Sequence, residues 1–208
     1  MIYADHAATT KISETAKLAM LSAMEKDWYN PSSLYTPGQQ ASGTLMDARV
    51  RIAHCLGCLP KEIYFTSGGS EADNQAILSA AAIGKRQGKM HIISTAFEHH
   101  AVLHTLKKLE KEGFEITLLD VGEKGIVSPV QVEKAIRPDT ILVTVMYANN
   151  EIGTIQPIRE IGAICRKNGV LFHTDAVQAA GHLQINVEKD QIDMLSLSAH
   201  KFNGPKGI

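Results

Sequence analysis

Leu195-Ser196-Leu197-Ser198-Ala199-His200-Lys201 is a short apolar run that ends in a hydroxyl, an imidazole and an amine. Its apolar part reads as a strand, Asp193 to Leu197, and its polar part as the turn beyond that strand. The same unit recurs upstream. Val170 to Phe172 is followed by His173, Thr174, Asp175 and Gln178, and Thr140 to Met146 by Asn149, Asn150 and Glu151. His91 to Ser94 leads to Glu98, His99 and His100, and Ile63 to Thr66 leads to Ser67, Gly68, Gly69 and Ser70. A further strand is predicted at Phe114 to Leu119.

Helical patterns separate these strands. Ala41, Leu45, Ala48, Ile52 and Leu56 recur at helical spacing until Gly57 and Pro60 supply the stop. Ser70-Glu71-Ala72-Asp73 reads as a variant capping box opening a helix through Ile77, Leu78 and Ala81. Further helices are predicted from His100 to Glu112, from Ser128 as cap with Pro129 in the first turn, and from Pro157 to Lys167. Alternating strands and helices imply an α/β fold, a mainly parallel central sheet with helices on both faces. In such sheets ligands bind beyond the carboxyl ends of the strands. Five polar clusters fall just there, and their convergence is a stronger signal than any one of them.

Composition narrows the partners. The 208 residues are 44% hydrophobic, enough for a sizeable core, and 21 basic side chains against 22 acidic ones leave a net charge of −1. No broad cationic field favours nucleic acid or an anionic membrane, so neither is expected. The start, Met1-Ile2-Tyr3-Ala4-Asp5-His6, lacks the basic and apolar parts of a secretory signal, and no apolar run is long enough to span a bilayer. A cytoplasmic protein is expected. Cys55, Cys58 and Cys165 are an odd and sparse set, which argues against a disulfide framework. Cys55 and Cys58 spell Cys-x-x-Cys but have no second pair to complete a zinc site, and read as ordinary helix residues.

Each polar cluster has a plain reading and a chemical one. Gly68 and Gly69 can be a simple connector, or can let an anion approach the free amides of a helix start beside the Ser70 hydroxyl. Asp175 can be a turn former, or the carboxylate that keeps a pyridine nitrogen protonated. Gln178 can be solvated or hold a ring hydroxyl, and His99 can cap a helix or stack on an aromatic ring. Lys201 can be solvated, or an imine-forming amine if burial or nearby cations favour loss of its proton. Ser198 and His200 beside it can share in holding a phosphate. A carboxylate, a phosphate-sized nest and a reactive amine are together what pyridoxal 5'-phosphate requires of a protein. The rival is a zinc or iron site from His100 and His104, four apart on one helix face, with His173 and Asp175. It gives the glycine turn and Lys201 no role, so no metal is expected.

Several runs in fixed order resemble the NifS-type cysteine desulfurases, within the class V aminotransferase group of fold-type I pyridoxal-phosphate enzymes. They are Ala4-Asp5-His6-Ala7-Ala8-Thr9-Thr10, Asn30-Pro31-Ser32-Ser33, Phe65 through Asn74, Ala148 through Gly153, His173 through Gln178 and Ser196 through Lys201. The resemblance implies Lys201 as the lysine joined to the cofactor, His99 as the ring-stacking and proton-handling histidine, and Asp175 on the pyridine nitrogen. It implies Gln178 on the ring hydroxyl, Gly69, Ser70, Ser198 and His200 on the phosphate, and Asn150 facing the cofactor hydroxyl and the substrate carboxylate. The implied reaction converts L-cysteine to L-alanine and leaves a persulfide on a protein thiol, for iron–sulfur clusters or thiolated cofactors. A homodimer and a sulfur-acceptor or scaffold protein are the implied partners.

The chain departs from that pattern after Lys201. It stops at Ile208, before the further core strand, the small domain, the nucleophilic cysteine and the carboxylate-binding arginine of the family, and Cys55, Cys58 and Cys165 do not match that cysteine. The expected division is residues 1–12 as an N-terminal segment that packs with the small domain, absent here, and 13–208 as the cofactor-binding large domain. A strand missing from the sheet leaves an edge that a second chain can pair with. Other readings are a non-catalytic fragment or interaction unit, and a selenocysteine lyase.

Overall fold

The computed structural model describes residues 2–208; Met1, part of the N-terminal segment, lies outside them. Six helices and five strands follow in the order α1 (Glu14–Lys26), α2 (Thr36–Leu56), α3 (Gly69–Gln87), β1 (His91–Thr95), α4 (His100–Lys111), β2 (Glu115–Leu119), α5 (Pro129–Ala135), β3 (Thr140–Thr144), α6 (Ile158–Asn168), β4 (Leu171–Asp175) and β5 (Met194–Ser196). Short 3-10 turns stand at Pro60–Glu62 and Ala199–Lys201.

The strands form one parallel sheet in the order β2-β1-β3-β4-β5. From β1 the chain steps outward to β2 and then returns to the other side of β1 with β3. That reversal leaves a crevice at the carboxyl ends of β1 and β3, where open α/β sheets bind ligands.

Two apolar layers hold the sheet. Ile92 and Leu142 point to one face with Ile77, Ala80 and Ala81 of α3 and Val102, Leu106 and Leu109 of α4. Ile93, Val143 and Phe172 point to the other with Val132 of α5 and Ile158, Ile161 and Cys165 of α6. Because side chains alternate along a strand, adjacent apolar residues are both needed when both faces are covered. Every residue of β1 and β3 is buried, which explains the adjacent apolar residues Ile92-Ile93 and Ile141-Leu142-Val143 at their centres; His91, Ser94, Thr95, Thr140 and Thr144 are buried polar residues around them.

Two local readings change, and one helix is added to them. Ile63 to Thr66 is extended but pairs with no strand among the described residues; the Arg49 Nε–H donates to the Ile63 carbonyl at 3.2 Å. An apolar run supplies the side chains of a strand, but a ladder also needs a neighbour. The start of α3 is capped differently from the predicted box. The helix begins at Gly69 with Gly68 as N-cap, and the Glu71 carboxylate reaches back to accept the Ser67 N–H, while Ser70 is exposed. Helix α1 carries no core periodicity and buries no residue, so the pattern that marked the others passes over it. Its start is set by Ser13, whose Oγ accepts the Ala16 N–H at 3.2 Å.

Candidate functional site

The turn before α3 is shaped for close approach. Gly68 has φ +139°, a backbone that side chains resist. A Cβ on the buried Gly69 would lie 2.8 Å from Val177 Cγ2 and 3.5 Å from Ser198 Cβ. The glycine therefore lets the helix start meet both the segment carrying Gln178 and the segment carrying Ser198. First-turn amides have no acceptor within the helix, so a 19-residue helix presents N–H groups and a dipole here. With the exposed Ser70 hydroxyl and the nearby Ser198, this is a cradle that fits a phosphate.

His99 is the N-cap of α4, and its Nδ1 accepts the Ala101 N–H at 3.1 Å. That bond fixes the ring and leaves Nε2 as its other polar atom. The ring is exposed, and one of its nitrogens lies within 4.8 Å of carboxylate oxygens of both Asp73 and Asp175. Asp175 is the last residue of β4, where the sequence placed it just beyond the strand. It is 5% exposed, and its Oδ1 accepts the Val177 N–H at 3.0 Å. Burial raises its pKa, while the Val177 N–H, His99 and Lys201 work against that rise.

Lys201 is half-buried at the end of the turn after β5. Burial lowers the pKa of its amine, opposed by Asp175 and Asp5. Its Nζ donates to the Ala7 carbonyl and, at 3.0 Å, to the Ala8 carbonyl. Gln178 Nε2 donates to the same Ala7 carbonyl at 2.9 Å. His200 Nδ1 meets Thr9 Oγ1 at 2.9 Å, and burial, then Lys201 and Lys206, lower its pKa. The N-terminal segment is thus fastened to the site: Thr10 N–H and Oγ1 both donate to the His200 carbonyl at 2.8 Å.

Asn150 is half-buried, and its Nδ2 donates to Glu151 Oε1 at 2.8 Å. The buried neighbour Asn149 shapes the loop, its Oδ1 accepting the Glu151 and Ile152 N–H groups at 2.8 and 3.0 Å. The rival metal set is not assembled. His173 is fully buried with Nδ1 on Thr144 Oγ1 at 2.8 Å and Nε2 on Ser196 Oγ at 2.9 Å. His100 and His104, both exposed, stack on each other 5.5 Å apart on the solvent face of α4. Cys165, on the buried face of α6, has its thiol pushed up to about 12 by burial, while Cys55 and Cys58 flank the end of α2. All three are free thiols.

Two acids were not assigned a role in the sequence. Asp73 was read only as part of a cap, and it is 1% exposed. Glu98 is 5% exposed, and its Oε1 accepts the Thr95 hydroxyl and, at 2.9 Å, the Met146 N–H. Burial pushes its carboxyl up to about 8, against those two donors.

The sequence profile of the family described as Aminotransferase class-V matches residues 2–208. Cysteine desulfurase IscS of Methanosarcina thermophila is 52% identical over 206 residues, covering 99% of this chain and 51% of the relative. Among solved structures, SspA in complex with cysteine is 42% identical with a TM-score of 0.95, over 100% of this chain and 59% of that one. A NifS-like protein is 38% identical with the same TM-score of 0.95, over 99% of this chain and 57% of that one. The chain therefore spans about half the length of the curated relatives it matches.

Proposed function

Since the chain belongs to the class V aminotransferase family, a group of pyridoxal-phosphate enzymes, we propose that these loops form the cofactor site of a cysteine desulfurase. The observation that carries the reading is the meeting of Asp175, His99 and Lys201 beside the Gly68–Gly69 cradle, each group interacting with Asp175. Pyridoxal 5'-phosphate, when bound, supplies an aldehyde that condenses with amines and a protonated ring that withdraws electrons from the substrate.

Every other part of the work falls to the chain. The α3 amides with Gly69, Ser70, Ser198 and His200 hold the phosphate. Asp175 holds a proton on the ring nitrogen, Gln178 binds the ring hydroxyl, and His99 stacks on the ring and carries a proton at Nε2. Lys201, its amine made less basic by burial, has a larger share of the neutral form that attacks a carbonyl. Asn150 leaves Glu151 to meet the substrate carboxylate. L-cysteine as substrate is favoured by the printed name of the M. thermophila relative and by the cysteine held in the SspA structure. Sulfur then passes to a protein thiol outside the groups described here, with alanine as the other product. A homodimer, a sulfur-acceptor protein and a cytoplasmic setting complete the reading; the free thiols of Cys55, Cys58 and Cys165 suit a reducing compartment.

The test is reconstitution of the 208-residue chain with pyridoxal 5'-phosphate, borohydride reduction and peptide mapping. The pyridoxyl group is expected on Lys201, with none retained in Lys201→Ala. Label on another lysine, or equal label in the variant, overturns the assignment.

A further inference from the structure

Behind Asp175 stand two buried acids, Asp73 and Glu98, for which the reaction above has no use. Asp73 of α3, Glu98 and Asp175 are 1%, 5% and 5% exposed. One oxygen of Asp73, Oδ1, is buried without a hydrogen-bond partner, as is Glu98 Oε2. The nearest imidazole offers Asp73 no charge. His173 Nε2 is 3.7 Å from Asp73 Oδ1, but burial holds His173 neutral down to about 3, and both its ring nitrogens are engaged by Thr144 and Ser196.

Carboxylates buried this close cannot all be charged. Asp175 has the surroundings of an anion, with the Val177 N–H on one oxygen and His99 and Lys201 facing it. Asp73 has those of a neutral acid. The groups facing it are Asp175 and His173 from β4, Ser196 from β5 and His99 from the start of α4, with Glu98 from the segment after β1. No lysine or arginine is among them.

We propose that Asp73 is a positioning residue for Asp175: standing behind it as a neutral acid, it confines the negative charge to Asp175 and so sets how firmly that carboxylate holds a protonated pyridine nitrogen. The inference rests on the cofactor reading above. Burial and then Asp175 push the Asp73 carboxyl up to about 8, with the Ser196 hydroxyl working weakly the other way. At neutral pH Asp73 therefore keeps its proton, and above that value a second negative charge enters the site.

The experiment compares cofactor binding by the wild-type chain, Asp73→Asn and Asp73→Ala, using pyridoxal 5'-phosphate and its 1-deaza analogue, which lacks the ring nitrogen. Asp73→Asn, a permanently neutral isostere, should match the wild type at about pH 7 and lose the wild type's change in dissociation constant between about pH 7 and pH 9. Asp73→Ala should weaken pyridoxal 5'-phosphate about tenfold and the deaza analogue far less. Equal losses for both ligands, or a pH profile unchanged in Asp73→Asn, overturn the proposal. If the Asp73 variants do not fold, the infrared carbonyl band of a protonated buried carboxyl in the Glu98→Gln chain, where Glu98 cannot supply that band, decides. Its presence at neutral pH and its loss at about pH 9 are expected, and its absence at neutral pH overturns the proposal. Failure of the cofactor reading shows separately, as a wild-type chain that takes no label on Lys201.

Discussion

Replacing Glu98 with glutamine tests the claim that this carboxyl is buried with its proton on. In the folded chain its pKa stands at about 8, against an ordinary value of 4.5, mainly because burial penalises the charged form. Below 4.5 both folded and unfolded chains carry the proton, and its contribution to stability is complete. As pH rises from there to about 8, the unfolded chain gives the proton up first, so stability falls. The fall is about 1.4 kcal/mol per pH unit and about 5 kcal/mol over the window, after which it levels off. Glutamine keeps an oxygen for the Thr95 hydroxyl and the Met146 N–H, and its amide brings two buried donors where the acid's O–H brings one. Urea unfolding should therefore put the glutamine chain about 1–3 kcal/mol below the wild type near pH 4.5. The glutamine chain should lead by several kcal/mol at about pH 8.5. Two stability curves that run parallel across that range would refute the reasoning, because they would mean that Glu98 titrates alike folded and unfolded.

Three further outcomes follow from single contacts. His173 acts in the opposite sense: its pKa is lowered from 6.5 to about 3 by burial, so stability is lost as pH falls through that interval. Wild type should lose about 1.4 kcal/mol per pH unit there relative to His173→Gln, read from denaturant midpoints. Gly69→Ala places a Cβ 2.8 Å from Val177 Cγ2 and must part the helix start from the Gln178 segment. Absorbance titration should show cofactor affinity reduced about tenfold with far-ultraviolet dichroism unchanged. Gly162→Ala brings a Cβ within 2.2 Å of the Asp190 carbonyl and 3.1 Å of the Gln191 carbonyl, both backbone atoms with little room to yield. A destabilisation of about 1–3 kcal/mol in urea is expected, with no change in which lysine takes the label.

The sheet was legible because β1 and β3 are covered on both faces and so carry adjacent apolar residues, Ile92-Ile93 and Ile141-Leu142-Val143, a pattern that short strands on a one-sided sheet do not leave. Ile63 to Thr66 shares the composition without the pairing, and composition cannot supply a neighbour. Helix α1 failed for the converse reason. Leu18, Leu21 and Met24 are 58%, 47% and 65% exposed, so no core imposes a readable period, and only Ser13 and Glu14 mark its start. Asn149 was passed over beside Asn150, because its part in shaping the loop rests on the hydrogen bonds its Oδ1 accepts from the Glu151 and Ile152 N–H groups.

The site's charge was the least legible part, because it belongs to no single segment. Asp73 comes from α3, Glu98 from the loop after β1, Asp175 from the end of β4 and Lys201 from beyond β5. Each has an ordinary sequence context, and each would titrate ordinarily alone. Brought together, the acids differ by what touches them: a backbone N–H and two facing basic side chains leave Asp175 the one suited to stay charged, while Asp73 and Glu98 keep buried oxygens that nothing meets. The division of labour among three identical functional groups is then decided by packing. A residue that looks like a helix cap in the chain can, for that reason, govern the carboxylate that grips a ring.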